Sequence, residues 1–170
     1  MLSQLLENKK LEGNILFSPL SGHLALAMLL NGAEGDTKHQ LKKGLGLPYE
    51  ADLKQFNSEY RNILKQLKSS EHFEVEIANK AFLGRDPSDE FEEAIMNTFG
   101  GKPSILNFVR DIENARNIIN QFVMEKTNGK IQNLITKRVL KPSTAFVIVN
   151  ALYFKGIKLE INARVNCIVF

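Results

Sequence analysis

Cysteine is almost absent from this chain of 170 residues, since Cys167 is the only one. No internal disulfide can form, which excludes a small module stapled by disulfides but does not exclude secretion. No apolar stretch reaches the length of about 20 residues that a membrane-spanning helix needs. The formal net charge of +3 is too small to indicate nucleic-acid binding by itself. Neither a nucleic acid nor a membrane is expected as a partner.

The beginning of the chain lacks targeting features. Residues 1–10 contain no charged segment that leads into an apolar core of signal-peptide length. No Asn-x-Ser/Thr glycosylation acceptor occurs in the sequence. As written, the chain is expected to be soluble and untargeted, and its start is itself expected to be a truncation.

Apolar spacing predicts at least five helices. Ser18 is a good N-cap and Pro19 suits the first position of a helix over residues 20–30, which is apolar almost all round and therefore predicted to be buried. Thr37 and Gln40 have the spacing of a capping box that opens a second, short helix. Further apolar stripes predict helices over residues 53–67, from residue 89 to residue 100, and around residues 115–122.

Three segments are typical of β-strands. Residues 73–77 alternate with period two, and this strand is predicted to continue to Leu83. Residues 102–109 form a second predicted strand, with Pro103 near its start or on an edge. Residues 144–156 are rich in β-branched and aromatic side chains and predict a strand buried on both faces. The intervening helices are long enough for crossovers, so the predicted fold class is α+β, with a sheet that can be partly parallel.

Three motifs occur in the order of one known family. They are N-I-L-F-S-P-L-S at residues 14–21, continued by N-G-A-E-G-D-T at residues 31–37; T-N-G-K-I at residues 127–131; and V-N-A-L-Y-F-K-G at residues 149–156. Together they resemble the serpins, the serine protease inhibitor family. The resemblance implies the N-terminal half of a serpin, with several helices packed on a partial main sheet of about three strands.

The resemblance also implies a division of the chain. Residues 1–156 are expected to form a partial serpin domain, and residues 157–170 an off-pattern tail. Lys158 stands where the family has a tryptophan after the F-K-G motif. Alternative splicing, intron read-through or an annotation error is the hypothesis for this tail. The parent family implies an extracellular location, while the lack of a signal peptide leaves a cytoplasmic one open.

The resemblance to serpins implies a protease partner for the parent protein and a loss of inhibitory activity in this chain. The parent activity implied by the resemblance is inhibition of serine proteases by a reactive centre loop, which inserts as a strand beside the strand of residues 144–156. No residue of this chain corresponds to that loop, so the chain alone is expected to be a non-inhibitory, truncated isoform. Two alternatives stay open: an interaction or decoy protein that binds other serpins through its exposed sheet edge, and a non-productive splice product.

Three polar residues match serpin positions near the point where the main sheet opens, and they are Ser18, Ser21 and Asn150. A short polar side chain in an apolar setting needs a hydrogen-bond partner. One interpretation is a polar latch that controls sheet opening. The other is that Ser18 simply caps a helix and the remaining two are satisfied core groups.

A row of cations lies on the predicted helix over residues 53–67 and just beyond it, consisting of Lys54, Arg61, Lys65 and Lys68. At helical pitch these residues share one narrow face, away from the apolar stripe. Several serpins bind heparin-like polyanions through the equivalent helix, so a sulfated glycan is a possible partner. The alternative is an ordinary solvated helix face.

Catalytic and metal chemistry lack support. Ser21 and His23, which Gly22 separates, have no G-x-S-x-G elbow around them. The histidines and Cys167 have no metal-ligand spacing, and the glycine pairs lack the pattern of a phosphate loop. No enzymatic activity, cofactor or metal is expected.

Overall fold

The computed structural model describes residues 18–67 and 73–156. Predictions for residues 14–17 of the first serpin-like motif, for Lys68 and for the tail of residues 157–170 lie outside these ranges. The described part contains five helices and three strands. They are α1 Pro19–Asn31, α2 Gly35–Gly44, α3 Leu53–Gln66, β1 Phe73–Leu83, α4 Asp89–Phe99, β2 Ser104–Ile105, α5 Ile112–Lys126 and β3 Phe146–Gly156. The predicted α+β class is confirmed.

The sheet is mixed, in the order β2-β1-β3. β1 and β3 are antiparallel and paired along their whole lengths, from Phe73 opposite Gly156 to Leu83 opposite Phe146. β1 and β2 are parallel, and α4 lies in the connection between them, as parallel strands require. Among the described residues β3 pairs with β1 alone, so its other edge is unpaired there.

Two apolar clusters lie on opposite faces of this sheet. The first cluster lies between one face of β1 and the four helices α1, α2, α3 and α4. Its buried members are Leu24, Ala27, Met28, Leu30, Leu45, Phe56, Tyr60, Ala81, Ile95 and Phe99. The second joins α5 and the segments around it to the other face, with Phe82, Leu106, Phe108, Ala115, Ile119, Val123, Leu140 and Val149 buried. Successive residues of a strand point to opposite faces, so β1 contributes Ala81 to one cluster and Phe82 to the other.

The strand predicted over residues 102–109 is wrong in its length, because only Ser104 and Ile105 pair with β1. After one further bond, from the N–H of Leu106 to the carbonyl of Leu83 at 2.8 Å, the chain turns. Asn107 Oδ1 accepts two backbone N–H groups there, from Val109 at 3.1 Å and from Arg110 at 2.8 Å. An asparagine side chain that binds the backbone two or three residues ahead stabilises a turn in place of a strand.

The prediction that residues 144–156 are buried on both faces holds only for part of β3. Val149, Asn150 and Ala151 are buried, whereas Phe146 is 47% exposed. The strand also begins at residue 146, after a turn in which the N–H of Thr144 bonds the carbonyl of Lys141 at 2.9 Å. Both α1 and α5 contact β3, and among its residues 146–153 only the three in the middle are buried.

The predicted capping box at Thr37 and Gln40 is wrong. The N-cap of α2 is Glu34, three residues before Thr37, and the helix begins at Gly35, because the carbonyl of Glu34 already accepts the N–H of Lys38 at 3.3 Å. Thr37 therefore lies inside the first turn, where it cannot act as the N-cap.

Gly100 and Gly44 allow a matched test of backbone conformation. Gly100 ends α4 with φ +81, in the left-handed region, whereas Gly44 lies at the end of α2 with no positive φ and nothing within 4 Å of an added Cβ. We expect Gly100→Ala to lower the free energy of unfolding by about 1 kcal/mol. Gly44→Ala should raise it by about 0.5 kcal/mol, because alanine restricts the unfolded chain. Urea unfolding of both variants checks the opposite signs.

Candidate functional site

The serine pair of the predicted polar cluster lies at the start of α1. Ser18 Oγ accepts the backbone N–H of Ser21 at 3.3 Å, and Pro19 occupies the first helical position, which confirms the predicted cap. Ser21 Oγ donates to Ser18 Oγ at 3.1 Å, and the Ser21 side chain is buried. The two hydroxyls therefore satisfy each other where the chain enters the helix.

The third residue of the predicted cluster, Asn150, pairs with a residue that sequence reasoning missed. Asn150 lies directly opposite Asn79 across the β1–β3 ladder, and its Nδ2 donates to Asn79 Oδ1. Asn150 is 0% exposed, and its Oδ1 has no hydrogen-bond donor in the described part of the chain. The sequence contained one signal for Asn79. It is a polar residue that lies on the same face of β1 as Ile77 and Ala81, and this face contacts the first cluster.

The structure places the two polar pairs on adjoining elements. α1, which contains Ser21 and is capped by Ser18, packs against β3, which contains Asn150. Among residues 18–67 and 73–156 no hydrogen bond links the serine pair with the asparagine pair. The serines act locally on the helix start, while Asn79 and Asn150 join two strands. A role of the three predicted residues in sheet opening stays a prediction.

The residues of the predicted cationic row differ in their contacts. Lys54 and Lys65 are exposed on α3. Arg61 instead uses its Nε to donate to the carbonyl of Asn97 at 2.6 Å, which ties α3 to the last turn of α4. Lys68 lies outside the described residues. Of the three cations described, Arg61 thus has a structural contact, and two lysines remain for a ligand.

The T-N-G-K-I motif ends α5. Thr127 is 1% exposed; its Oγ1 donates to the carbonyl of Val123 at 2.7 Å and accepts the N–H of Ile131 at 3.1 Å. Asn128 and Gly129 both have positive φ, at +50 and +75, which reverses the chain. The motif therefore fixes the exit from α5 through backbone conformation and one buried hydroxyl.

A second anchor follows, which sequence reasoning also missed. Asn120 is buried on α5, and its side chain binds both backbone groups of Ile135: Nδ2 donates to the carbonyl at 2.9 Å, and Oδ1 accepts the N–H at 2.8 Å. The segment after α5 is thus held against the helix by a two-point contact. The only available signal was a polar residue beside Ile119 on the inner face of a predicted helix.

The histidines do not form a metal site in the described residues, where no cluster of three or more potential ligands occurs. His23 Nδ1 shares a hydrogen bond with the Tyr60 hydroxyl, and the two rings stack with their centroids 5.9 Å apart. His39 contacts the ring of Tyr49. The His23 contact joins α1 to α3, which indicates a structural role.

Burial raises the pKa of Tyr60 to about 12. An unfolded tyrosine ionises near pH 10, so the unfolded chain loses this proton first. The stability linked to the neutral phenol is therefore fully present below about pH 10 and falls as the pH rises to about 12. We expect wild-type protein to lose more stability than Tyr60→Phe between about pH 9 and about pH 11, measured by urea unfolding. Tyr49→Phe, at an exposed tyrosine, should behave as wild type, and equal slopes in all three proteins would contradict the prediction.

Comparison with known proteins gives concordant matches. A sequence model of the family described as Serpin (serine protease inhibitor) matches residues 1–160. The chain is 35% identical over 147 residues to a leukocyte elastase inhibitor of Sus scrofa, covering 85% of this chain and 38% of that protein. It is 36% identical over 150 residues to Iripin-3 of Ixodes ricinus, covering 84% of this chain and 37% of that protein.

Solved structures match over nearly the whole chain. Ovalbumin from emu (Dromaius novaehollandiae) superimposes with a TM-score of 0.80 at 27% identity, covering 90% of this chain and 43% of that one. A structure of cleaved Serpin 42Da has a TM-score of 0.79 at 32% identity, covering 91% of this chain and 41% of that one. In the described residues, no helix has both the length and the apolar character to cross a membrane. The chain spans about two fifths of the length of each of these proteins.

Proposed function

Because the chain belongs to the serpin family, we propose that it is the N-terminal portion of a serpin scaffold whose activity, in a whole protein, is inhibition of a serine protease. The observation that carries this proposal is the β1–β3 ladder, with eleven opposed residue pairs and an outer β3 edge that is unpaired within the described residues. That edge offers a backbone template to an added strand. A relative named leukocyte elastase inhibitor supports a protease as the target class.

We propose that the 170 residues by themselves do not inhibit, because the resemblance to serpins assigns none of them to the reactive centre loop. The test incubates the purified chain with a trypsin-like and an elastase-like protease and follows residual activity and detergent-stable complexes on a gel. Full protease activity and no complex is the expected result. A one-to-one complex that survives detergent would contradict it. A full-length inhibitory serpin serves as the positive control.

The second candidate function is binding of another serpin by strand addition to β3. The buried Asn150 Oδ1 favours it, because this acceptor has no donor in the described part of the chain, and a strand seated beside β3 could supply one. Hydrogen exchange with and without a full-length serpin tests this function. Added protection over residues 146–154, with no change at Ser104 and Ile105 on the opposite edge, is expected. Unchanged exchange of residues 146–154 would exclude it.

Glycan binding by α3 is a further proposal, supported by the exposed Lys54 and Lys65. These two residues are eleven positions apart, or about 16 Å along a helix, a span that a short sulfated oligosaccharide can cover. The experiment compares elution from heparin resin for wild type, for a variant with Lys54, Lys65 and Lys68 changed to alanine, and for a control with Lys130, Lys137 and Lys141 changed to alanine. Both variants lose the same charge. Only the first should elute at lower salt, and equal elution of the two would exclude a specific site.

The domain division and the compartment stay predictions. The proposed partial domain covers residues 1–156, and the proposed tail covers residues 157–170. Comparing the transcript with the genomic exon boundaries near Gly156 tests the tail, because a continuous exon with the usual serpin continuation would contradict it. An extracellular location is tested by whether the chain, expressed in its own cell type, is recovered from the medium.

A further inference from the structure

An open groove lies between α5 and the adjoining edge of the sheet, on the face opposite the first apolar cluster. Its volume is about 470 Å³, within the range of about 300–1,000 Å³ typical of small-molecule sites. The strands contribute Lys80, Phe82 and Ser104, and one face of α5 contributes Asn117, Ile118, Gln121, Phe122 and Glu125. The groove is distinct from the outer edge of β3, since it involves β2 and β1.

Lys80 is held in this groove by aromatic rings. Its Nζ lies 5.8 Å from the ring centroid of Phe82 and 5.6 Å from that of Phe122, and these two rings pack edge to face. No carboxylate forms an ion pair with Lys80 in the described part of the chain. A cation placed over two rings and lacking a counterion is partly desolvated and already positioned for an anion.

The other polar groups of the groove limit the charge of a ligand. Glu125 is the acidic residue of the lining, and its Oε1 accepts the Gln121 amide at 2.6 Å rather than binding Lys80. Its negative charge opposes a second anionic group. The side chains of Ser104 and Asn117 form no hydrogen bond within the described residues, so their hydroxyl and amide groups are available donors. A single anionic group near Lys80 fits this arrangement.

The apolar part of the lining defines the rest of the ligand. Ile118 is 39% exposed beside Phe122, and the groove carries more apolar than polar surface. We propose that this groove binds a small organic monoanion, namely a carboxylate on a flat aromatic body, with the carboxylate paired to Lys80 and the ring packed on Ile118 and Phe122. Charge complementarity at Lys80 and apolar contact along α5 together select this class over neutral or dianionic compounds.

The probe is 2-naphthylacetate, titrated into the full ¹⁵N-labelled chain and followed by amide chemical shifts. We expect saturable shifts confined to β1, β2 and the groove-facing side of α5, with a dissociation constant on the order of 1 mM for a ligand of this size in an open groove. The neutral 2-naphthylacetamide has the same shape and should bind at least fivefold more weakly. Equal binding of the two compounds would overturn anion recognition by the groove.

Variants separate the site from general charge effects. Lys80→Met should weaken 2-naphthylacetate binding about tenfold, as loss of one partly buried ion pair predicts, whereas Lys137→Met removes the same charge from an exposed loop position and should leave binding unchanged. Ile118→Glu replaces the apolar contact with the ring by a carboxylate at a partly exposed position, so it should weaken both compounds, and the acetate more than the acetamide because the new charge repels its carboxylate. Shifts that survive Lys80→Met and Ile118→Glu at wild-type affinity would overturn the proposal.

Discussion

Replacing Phe82 by alanine is expected to lower the free energy of unfolding by about 3–5 kcal/mol, since it removes a large side chain from a packed interior. Phe82 is 1% exposed and lies in the second cluster, where its ring packs edge to face on Phe122. A domain of this size is typically stable by only about 5–15 kcal/mol. The change should therefore leave a protein that is barely folded, or unfolded, at room temperature.

The matched control is Phe146→Ala, at a phenylalanine of the partner strand that is 47% exposed. Less of the Phe146 side chain is buried, so its removal should lower the free energy of unfolding by about 1 kcal/mol or less. Urea unfolding followed by circular dichroism compares the two variants. Equal losses would mean that the second cluster does not stabilise the sheet as its packing indicates.

The second large effect is expected at Asn79. Changing Asn79 to leucine removes the acceptor for Asn150 Nδ2, and Asn150 Oδ1 already lacks a donor in the described residues. Asn150 is fully buried, so its whole amide would then be unpaired in the interior. We expect a loss of about 2–3 kcal/mol, the cost of leaving a buried polar group without its partner. Chemical denaturation measures it.

A double variant distinguishes this cause from poor packing. With both Asn79 and Asn150 changed to leucine, no polar group is left unsatisfied at the pair, and the stability should recover most of the loss. The coupling between the two positions should then be about 1–3 kcal/mol, as found for residues in direct contact. A double variant that is as unstable as the sum of the single changes would contradict the hydrogen-bond account.

Patterns in the sequence predicted the elements that have strong local signals. Ser18 and Pro19 mark a helix start through a cap and a fixed φ, and period-two alternation located β1 to its last residue, Leu83. The predicted serpin family is confirmed by matches over most of the chain. The helix cap and the strand alternation depend on residues that are close together in the chain, so the sequence alone predicts them.

The rest depends on partners distant in the chain. The role of Asn79 depends on its hydrogen bond with Asn150. The strand register that places the two residues opposite each other cannot be predicted from either strand alone. Lys42 has the pattern of a solvated charge, yet it is buried and donates to the carbonyls of Tyr49 and Ala51 at 2.7 and 2.9 Å. The predicted length of the second strand was too great, because the side chain of Asn107 accepts backbone N–H groups that a longer strand would use in the ladder.

The β1–β3 ladder also determines when this protein can acquire its sheet during synthesis. All eleven residue pairs join segments at opposite ends of the α4–α5 region, so the ribosome must deliver α4, β2 and α5 before β1 meets its main partner. Until then the edge of β1 that later pairs with β3 stays open, and pairings between distant segments form slowly. The interval between translation of Leu83 and of Phe146 is therefore the stage at which a nascent chain is most exposed to chaperone capture or to pairing with a neighbouring chain.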